Sequence, residues 1–218
     1  MNILVLGATG GTGRATVADA LARGHRVTAF VRDPAAMAPA AGLEVVTGDA
    51  TRPADLARTL PGHDAVIVAL GERPGTFDWL PGRRARASTG VCAAGTRNLL
   101  DAMPRGAKPR IVVVSAFGLG DTRAVAPWYL RGWLWLFMPA MMADKERQEA
   151  ALKASDADFV LVHPVGLTDG PATGNWLASP EGAIRSLQVA RSDLAAFLVA
   201  TATATDGRHA RQTVAISG

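Results

Sequence analysis

The sequence predicts an α/β fold, a Rossmann-type doubly wound parallel sheet in a single domain over residues 1–218. Three observations predict it. Short apolar runs rich in Val, Ile and Leu alternate with longer helical patterns, which marks parallel strands covered on both faces. The first run passes at once into a glycine turn and an Ala-rich helix. No repeat, low-complexity stretch or domain-length linker divides the 218 residues, enough chain to bury one core without metals or disulfides.

The elements follow in order. Strands are expected at 3–6, 26–31, 43–46, 65–70, 111–115 and 159–162, with a last run at 212–216. Helices are expected at 11–23, 54–60, 83–103 and 145–155. After the second strand, Asp33 and Pro34 suit the N-cap and first position of a short helix over 34–37. Ser192-Asp193 reads as the N-cap and first-turn acid of a C-terminal helix. Residues 116–142 and 164–185 are expected to form the substrate side. Within them, 128–142 departs from the rhythm: it holds three of the five tryptophans, and 132–142 carries no charge. Eleven such residues fall short of the ~20 that span a bilayer, and Gly132 and Pro139 are expected to interrupt a straight helix. The segment reads as a core or dimer-contact helix, as a wall over a flat substrate, or as a membrane-surface element.

Composition narrows the classes. With 49% hydrophobic and 19% charged residues, the chain is not a disordered one. The single cysteine, Cys92, excludes an intramolecular disulfide framework and a cysteine-clustered zinc site. A net charge of +4 comes from scattered arginines, the tightest group being Arg83, Arg84 and Arg86. Without a dense basic face, no nucleic-acid partner is expected. No basic-then-apolar leader precedes the first strand, so a cytoplasmic protein without a transmembrane segment, monomeric or homodimeric, is expected.

The sharpest motif is Gly7-Ala8-Thr9-Gly10-Gly11-Thr12-Gly13, between the first strand and first helix. Glycines at 7, 10 and 13 let the backbone turn sharply and approach a pyrophosphate closer than a Cβ permits. The helix end then offers free amides and a positive dipole to the phosphates. A nucleoside-triphosphate loop would need Lys-Ser/Thr after the last glycine, and Arg14-Ala15 stands there. Arg32, 19 residues after Gly13, suits the 2′-phosphate of NADP(H); an acid at this strand end would suit NAD(H), which Asp33 leaves open. NADP(H) is the expected cofactor.

The other strand ends complete a cleft. Asp49 and Ala50 follow the third strand, where Asp49 suits an adenine amino group. Leu70 and Gly71 follow the fourth, and Ser115 and Phe117 close the fifth beside a nicotinamide position. A strand-end hydroxyl such as Ser115 also often caps local backbone. His163 ends the sixth strand in the cleft; His25, His63 and His209 read as surface groups. There is no metal-ligand spacing and no G-x-S-x-G elbow.

Together these residues resemble the atypical short-chain dehydrogenase/reductases, and within them the NADPH-binding group of biliverdin reductase B-type flavin reductases and NmrA-like proteins. The match is carried by the glycine loop, Val31-Arg32-Asp33-Pro34, Gly48-Asp49, Asp64–Val68, Ser115-Ala116-Phe117 and the more specific stretch from His163 to Gly174. The resemblance implies that Gly7, Thr9, Gly10, Gly11, Thr12 and Gly13 hold the pyrophosphate, Arg32 the 2′-phosphate, and Asp49-Ala50 the adenine. It further implies that Leu70, Gly71, Ser115 and Pro164-Val165-Gly166 flank the ribose and nicotinamide.

One departure shapes the expected chemistry. Many members of the wider superfamily use a Tyr-x-x-x-Lys pair as proton donor. Here Met141 stands four residues before Lys145, and Trp133 four residues after Tyr129, the only tyrosine. Lys145 is expected to touch ribose or substrate, or else to be a solvated lysine at a helix start. With Ser115 and Lys145 as catalytic candidates, the expected reaction is hydride transfer from NADPH to a flat, apolar acceptor protonated from solvent, such as a flavin or quinone. Phe117, Trp128, Trp133, His163 and Trp176 are the candidate substrate contacts. The rivals are a non-catalytic NADP(H) sensor and a tailoring reductase of a specialised metabolite.

Overall fold

The computed structural model describes residues 1–72, 89–103 and 109–218. Along the chain these form β1 (Asn2–Leu6), α1 (Gly11–Ala22), β2 (Arg26–Val31), β3 (Leu43–Thr47), α2 (Pro53–Thr59), β4 (Ala65–Val68), α3 (Val91–Asp101) and β5 (Arg110–Val114). The second half adds α4 (Trp128–Phe137), α5 (Pro139–Ala154), β6 (Phe159–Pro164), β7 (Gly166–Thr168), β8 (Leu177–Ser179), β9 (Gln188–Ala190), α6 (Arg191–Ala202) and β10 (Gln212–Ser217). The main sheet runs β3-β2-β1-β4-β5-β6-β10-β8, and β7 and β9 pair separately. All main-sheet pairs are parallel except β10 with β8.

Strand β1 shows why the apolar runs carry no alternation. Ile3 pairs with Val27 on one side and Ala65 on the other. Its side chain and that of Val5 join Val17 and Ala20 of α1 and Leu194 and Leu198 of α6. Leu4 and Leu6 point the other way, to Leu56 of α2, Leu99 of α3 and Leu152 of α5. Both faces are core, so every position is apolar. Strand order reverses between β1 and β4, and the crevice beyond their carboxyl ends is where such a sheet takes its ligand.

Several expectations need correcting. The α6 N-cap is Ala190, not Ser192; the Ser192 hydroxyl reaches Gly170 O at 3.4 Å instead. Asp193 is a first-turn acid, yet its carboxylate crosses to the Thr173–Gly174 backbone. Gly132 lies inside α4 without breaking it; the break falls at Met138, before Pro139. Pro139 is no interruption but the first residue of α5, where a missing N–H costs nothing. The helix expected from 145 therefore begins at 139. Strand β4 stops at Val68, two residues early. His63 is half-buried, and its ring contacts Leu60 O at 3.1 Å and Thr28 Oγ1 at 2.8 Å. Arg83, Arg84, Arg86 and the first part of the helix expected at 83–103 lie outside the described residues. Asp33 does cap the 3-10 turn Pro34–Ala36, accepting from Ala35 N at 3.0 Å.

Candidate functional site

The glycine loop is shaped by its own backbone. Gly7 has φ +82°, and a Cβ there would fall 2.5 Å from the Ala69 carbonyl oxygen, where β4 exits. A Cβ on Gly13 would overlap the Gly7 oxygen and approach Ala8 Cα to 2.8 Å. Gly10 N donates to Gly7 O at 3.0 Å, closing the turn. Gly10 is the N-cap of α1 and offers no side-chain acceptor, and the first turn holds no acid. Its first amides therefore face the cleft uncapped, with the partial positive charge of a helix start. This cradle fits the pyrophosphate of a dinucleotide. Arg14 does not compete for it, because its guanidinium donates to Thr9 O at 3.1 Å and Ala36 O at 2.7 Å.

The adenine-side candidates stand at the ends of β2 and β3. Arg32 is exposed, and its guanidinium has no hydrogen-bond partner among the described residues. Asp49 Oδ1 accepts from Thr51 N at 2.9 Å and Thr51 Oγ1 at 2.8 Å. The Thr51 N–H holds the Asp49 carboxyl below its ordinary value against desolvation, and the charges of Arg32 and Arg52 add to this. Ala50 is buried, its carbonyl taken by Asn98 Nδ2 at 2.9 Å. Leu70 packs against the Leu4 and Leu6 side of the core, while a Cβ on Gly71 would meet nothing within 4 Å among the described residues.

At the end of β5 the structure assembles a buried polar chain that sequence reasoning did not anticipate. Ser115, 4% exposed, donates its hydroxyl to Glu149 Oε1 at 2.5 Å. The same oxygen lies 3.0 Å from His163 Nε2, obliquely to the ring N–H direction. His163 is fully buried, and its Nδ1 meets Thr122 Oγ1 at 2.9 Å. Thr122 Oγ1 also accepts from Gly118 N at 2.9 Å and donates to Leu119 O at 3.0 Å. Burial would raise the Glu149 carboxyl, but the His163 ring and the Ser115 hydroxyl hold it below the ordinary value.

Helix α5 supplies this chemistry from its inward face. Lys145, the alternative solvated lysine, is instead 7% exposed and donates to Val114 O at 3.0 Å. Asp144 accepts from Cys92 N at 3.0 Å and Ala93 N at 3.1 Å, capping α3 from a neighbouring helix. Gln148 donates to Thr96 Oγ1 at 2.8 Å. Cys92 is an inert thiol, pushed up to about 11 by burial.

The substrate candidates separate. Phe117, expected on the substrate wall, is core, and its N–H donates to Pro164 O at 3.0 Å. His163 is fully buried within the polar chain, between Glu149 and Thr122, and presents no surface to a substrate. Trp176 is half-buried against the Ile3 and Val5 side of the core. Trp128 and Trp133 project from α4, 82% and 52% exposed, beside Leu136 and Phe137. The helix itself is fastened to the β5 exit, since Leu134 packs with Leu119 and Met142, against Ala116 and Met141. Val165 and Gly166 are held by backbone bonds to Ile216 O at 3.2 Å and Leu187 O at 3.0 Å. A hollow of about 430 Å³ lined by Asn2, Arg26, Thr28, Glu44 and His63 lies at the amino ends of the strands, away from this cleft. Among the described residues, no helix is long and apolar enough to cross a membrane.

A family model described as NAD(P)H-binding matches residues 7–205. An uncharacterized chloroplastic protein of Arabidopsis thaliana is 33% identical over 206 residues, 90% of this chain and 70% of the relative. Among solved structures, the anaerobillin reductase ChuY of Escherichia coli O157:H7 is 24% identical with TM-score 0.74, over 100% of this chain and 97% of that one. A short-chain dehydrogenase/reductase of Veillonella parvula in complex with NADP is 20% identical with TM-score 0.78, over 100% and 94%.

Proposed function

Because the chain belongs to the NAD(P)H-binding family, we propose that it is an NADPH-dependent reductase acting on a flat, conjugated acceptor such as a flavin or quinone. One observation carries this reading. An uncapped, glycine-lined helix end opens at the switch point, the β5 exit lies one strand beyond β4, and α4, whose Leu134 packs on that exit, carries exposed aromatic rings. The likeness in fold to an NADP-bound protein and to an anaerobillin reductase supports it.

When bound, the nicotinamide supplies a hydride, which with one proton completes the two-electron reduction of the acceptor. The chain's own residues bind and orient. The amides of Gly11, Thr12 and Gly13 take the pyrophosphate, and Arg32 takes the 2′-phosphate, favouring NADPH over NADH. Glu149 and His163 are positioning residues that lock the Ser115 hydroxyl, so the strand end under the nicotinamide does not shift during transfer. Trp128 and Trp133 give a flat acceptor apolar surface to lie against. Tyr129 lies on the exposed side of α4 and Met141 precedes Lys145 by four residues, so the proton comes from solvent. We propose the cytoplasm as its place, although the Arabidopsis relative is named a chloroplastic protein.

The test is NADPH oxidation by purified protein against a panel of flavins, quinones, bilins and simple carbonyl compounds. Turnover with a flat acceptor well above its background reaction is expected, and little with simple carbonyls. Tight NADPH binding without turnover on any of them would replace the reductase by an NADP(H) sensor.

A further inference from the structure

The glycine loop holds one glycine more than the turn needs. Gly11 has an ordinary φ and sits at the first position of α1, where any small residue would serve the helix. What occupies its side-chain space is Arg191, the first residue of α6. A Cβ on Gly11 would stand 2.9 Å from Arg191 Nε, 3.0 Å from Cδ and 3.5 Å from Cζ. The guanidinium thus crosses the start of α1 at the point where the pyrophosphate cradle opens.

This placement is electrostatically unfavourable for the chain alone. A helix start carries a partial positive charge, and cations are stabilised at the opposite end. No acid in the first turn of α1 and no capping side chain offsets Arg191 there. Its one counter-charge among the described residues is Asp169, whose Oδ1 lies 2.5 Å from Arg191 Nη1, and the Asp169 side chain is 86% exposed. Such a solvent-facing pair is weakly held and readily exchanged. The backbone around Asp169 is fixed from the same helix: Asp193 accepts from Thr173 N and Gly174 N at 2.9 Å each, and Ser192 Oγ reaches Gly170 O. An uncapped helix start and a guanidinium laid across it are two positive groups that an anion between them would satisfy together.

We propose that Arg191 is a pyrophosphate-binding residue of the dinucleotide site, parked on Asp169 until the cofactor arrives, and that residue 11 is glycine to let it cross. The proposal rests on the dinucleotide reading of the loop and adds to it a residue from the far end of the chain. It also separates two arginines: Arg14, nearer in sequence, is spent on Thr9 O and Ala36 O, whereas Arg191 has only an exchangeable partner.

The test is equilibrium binding, by calorimetry, of NADPH, ADP-ribose and adenosine 2′-monophosphate to wild type, Arg191→Ala and Arg191→Lys. Losing a charge-assisted contact to the pyrophosphate should weaken NADPH and ADP-ribose by similar factors, about tenfold or more. Adenosine 2′-monophosphate, which has no pyrophosphate, should change less than twofold, and Arg191→Lys should recover part of the loss. The proposal is overturned if NADPH affinity changes less than twofold in Arg191→Ala. It is equally overturned if adenosine 2′-monophosphate weakens as much as NADPH, since that would mark a general disturbance of the fold. Wild type that binds neither NADPH nor ADP-ribose would instead sink the dinucleotide reading itself, and Arg191's role with it.

Discussion

Replacing Glu149 tests whether the polar chain under the β5 exit is as tightly organised as its distances imply. Glu149 is 3% exposed and sits between the Ser115 hydroxyl at 2.5 Å and the His163 ring at 3.0 Å. Glu149→Ala removes a buried charged partner and leaves a fully buried imidazole and a buried hydroxyl facing a void. Removing one member of such a pair costs about 3–5 kcal/mol. In a chain of this size 1 kcal/mol moves Tm by roughly 2–4 °C, so Tm should fall by roughly 6–20 °C. Glu149→Gln keeps the acceptor for Ser115 and offers its amide to a re-tautomerised His163. It exchanges charge-assisted bonds for neutral ones, a loss of about 1–2 kcal/mol.

The pH dependence has a definite sign. The folded Glu149 carboxyl lies below its unfolded value of 4.5, so its contribution is present above pH 4.5 and lost as pH falls through the folded value. Asp121, held low by Lys153 and Thr213, and Asp193 titrate in the same direction. The difference between wild type and Glu149→Gln isolates Glu149. Urea unfolding at a series of pH values should show that gap full at pH 7 and closing below pH 4.5. A gap that stays constant or widens on acidification, or a Glu149→Ala variant within 1 kcal/mol of wild type, would refute the reasoning.

Three further outcomes are expected. Arg32→Ala should weaken NADPH by about 1.5–3 kcal/mol in a binding titration and NADH far less; equal weakening would remove Arg32 from the 2′-phosphate. Gly13→Ala puts a Cβ into the Gly7 carbonyl, an overpacking cost of about 1–3 kcal/mol that should lower the Tm of the cofactor-free protein. Gly10→Ala, with 3.4 Å to the same oxygen, should leave that Tm nearly unchanged while weakening NADPH, and calorimetry with a thermal melt separates the two. Tyr129→Phe should leave turnover of the best acceptor within about threefold across pH, because Tyr129 is 53% exposed on α4; a drop of ~10²-fold with loss of a pH limb would make it the acid after all.

The half of the fold built from β1 to β6 was legible because its strands are core on both sides. A run such as Ile3–Leu6 has no alternative place to go, and the glycine turn that follows leaves one reading for the connection. Strands β7, β8 and β9 are illegible in the sequence for the converse reason. Each has three residues, too few for a period, and they exist because backbone groups such as Gly166 N find Leu187 O, pairings that local sequence does not encode. The start of α5 was missed because Ala140–Met142 prolongs the apolar stretch of α4, and only the backbone turn at Met138 separates them.

The candidate site divides along the same line. The loop glycines, Arg32 and Ser115 are legible because a backbone that must approach a phosphate, or a strand that ends, leaves a local mark. The residues that organise the site leave none. On α5, Asp144, Lys145, Gln148 and Glu149 look like the wet side of a surface helix, yet they are its buried face. Each meets a group on another element: the α3 amides, Val114 O, Thr96, and Ser115 together with His163. A polar residue facing inward is stable only when its partner is already in place, and here the partners lie 14 to 52 positions away along the chain. Arg191 is the same case from the other terminus, a guanidinium brought over Gly11 by the packing of α6 on α1. The one trace of it in the sequence was the extra glycine at 11, a residue whose reason is a side chain 180 positions downstream.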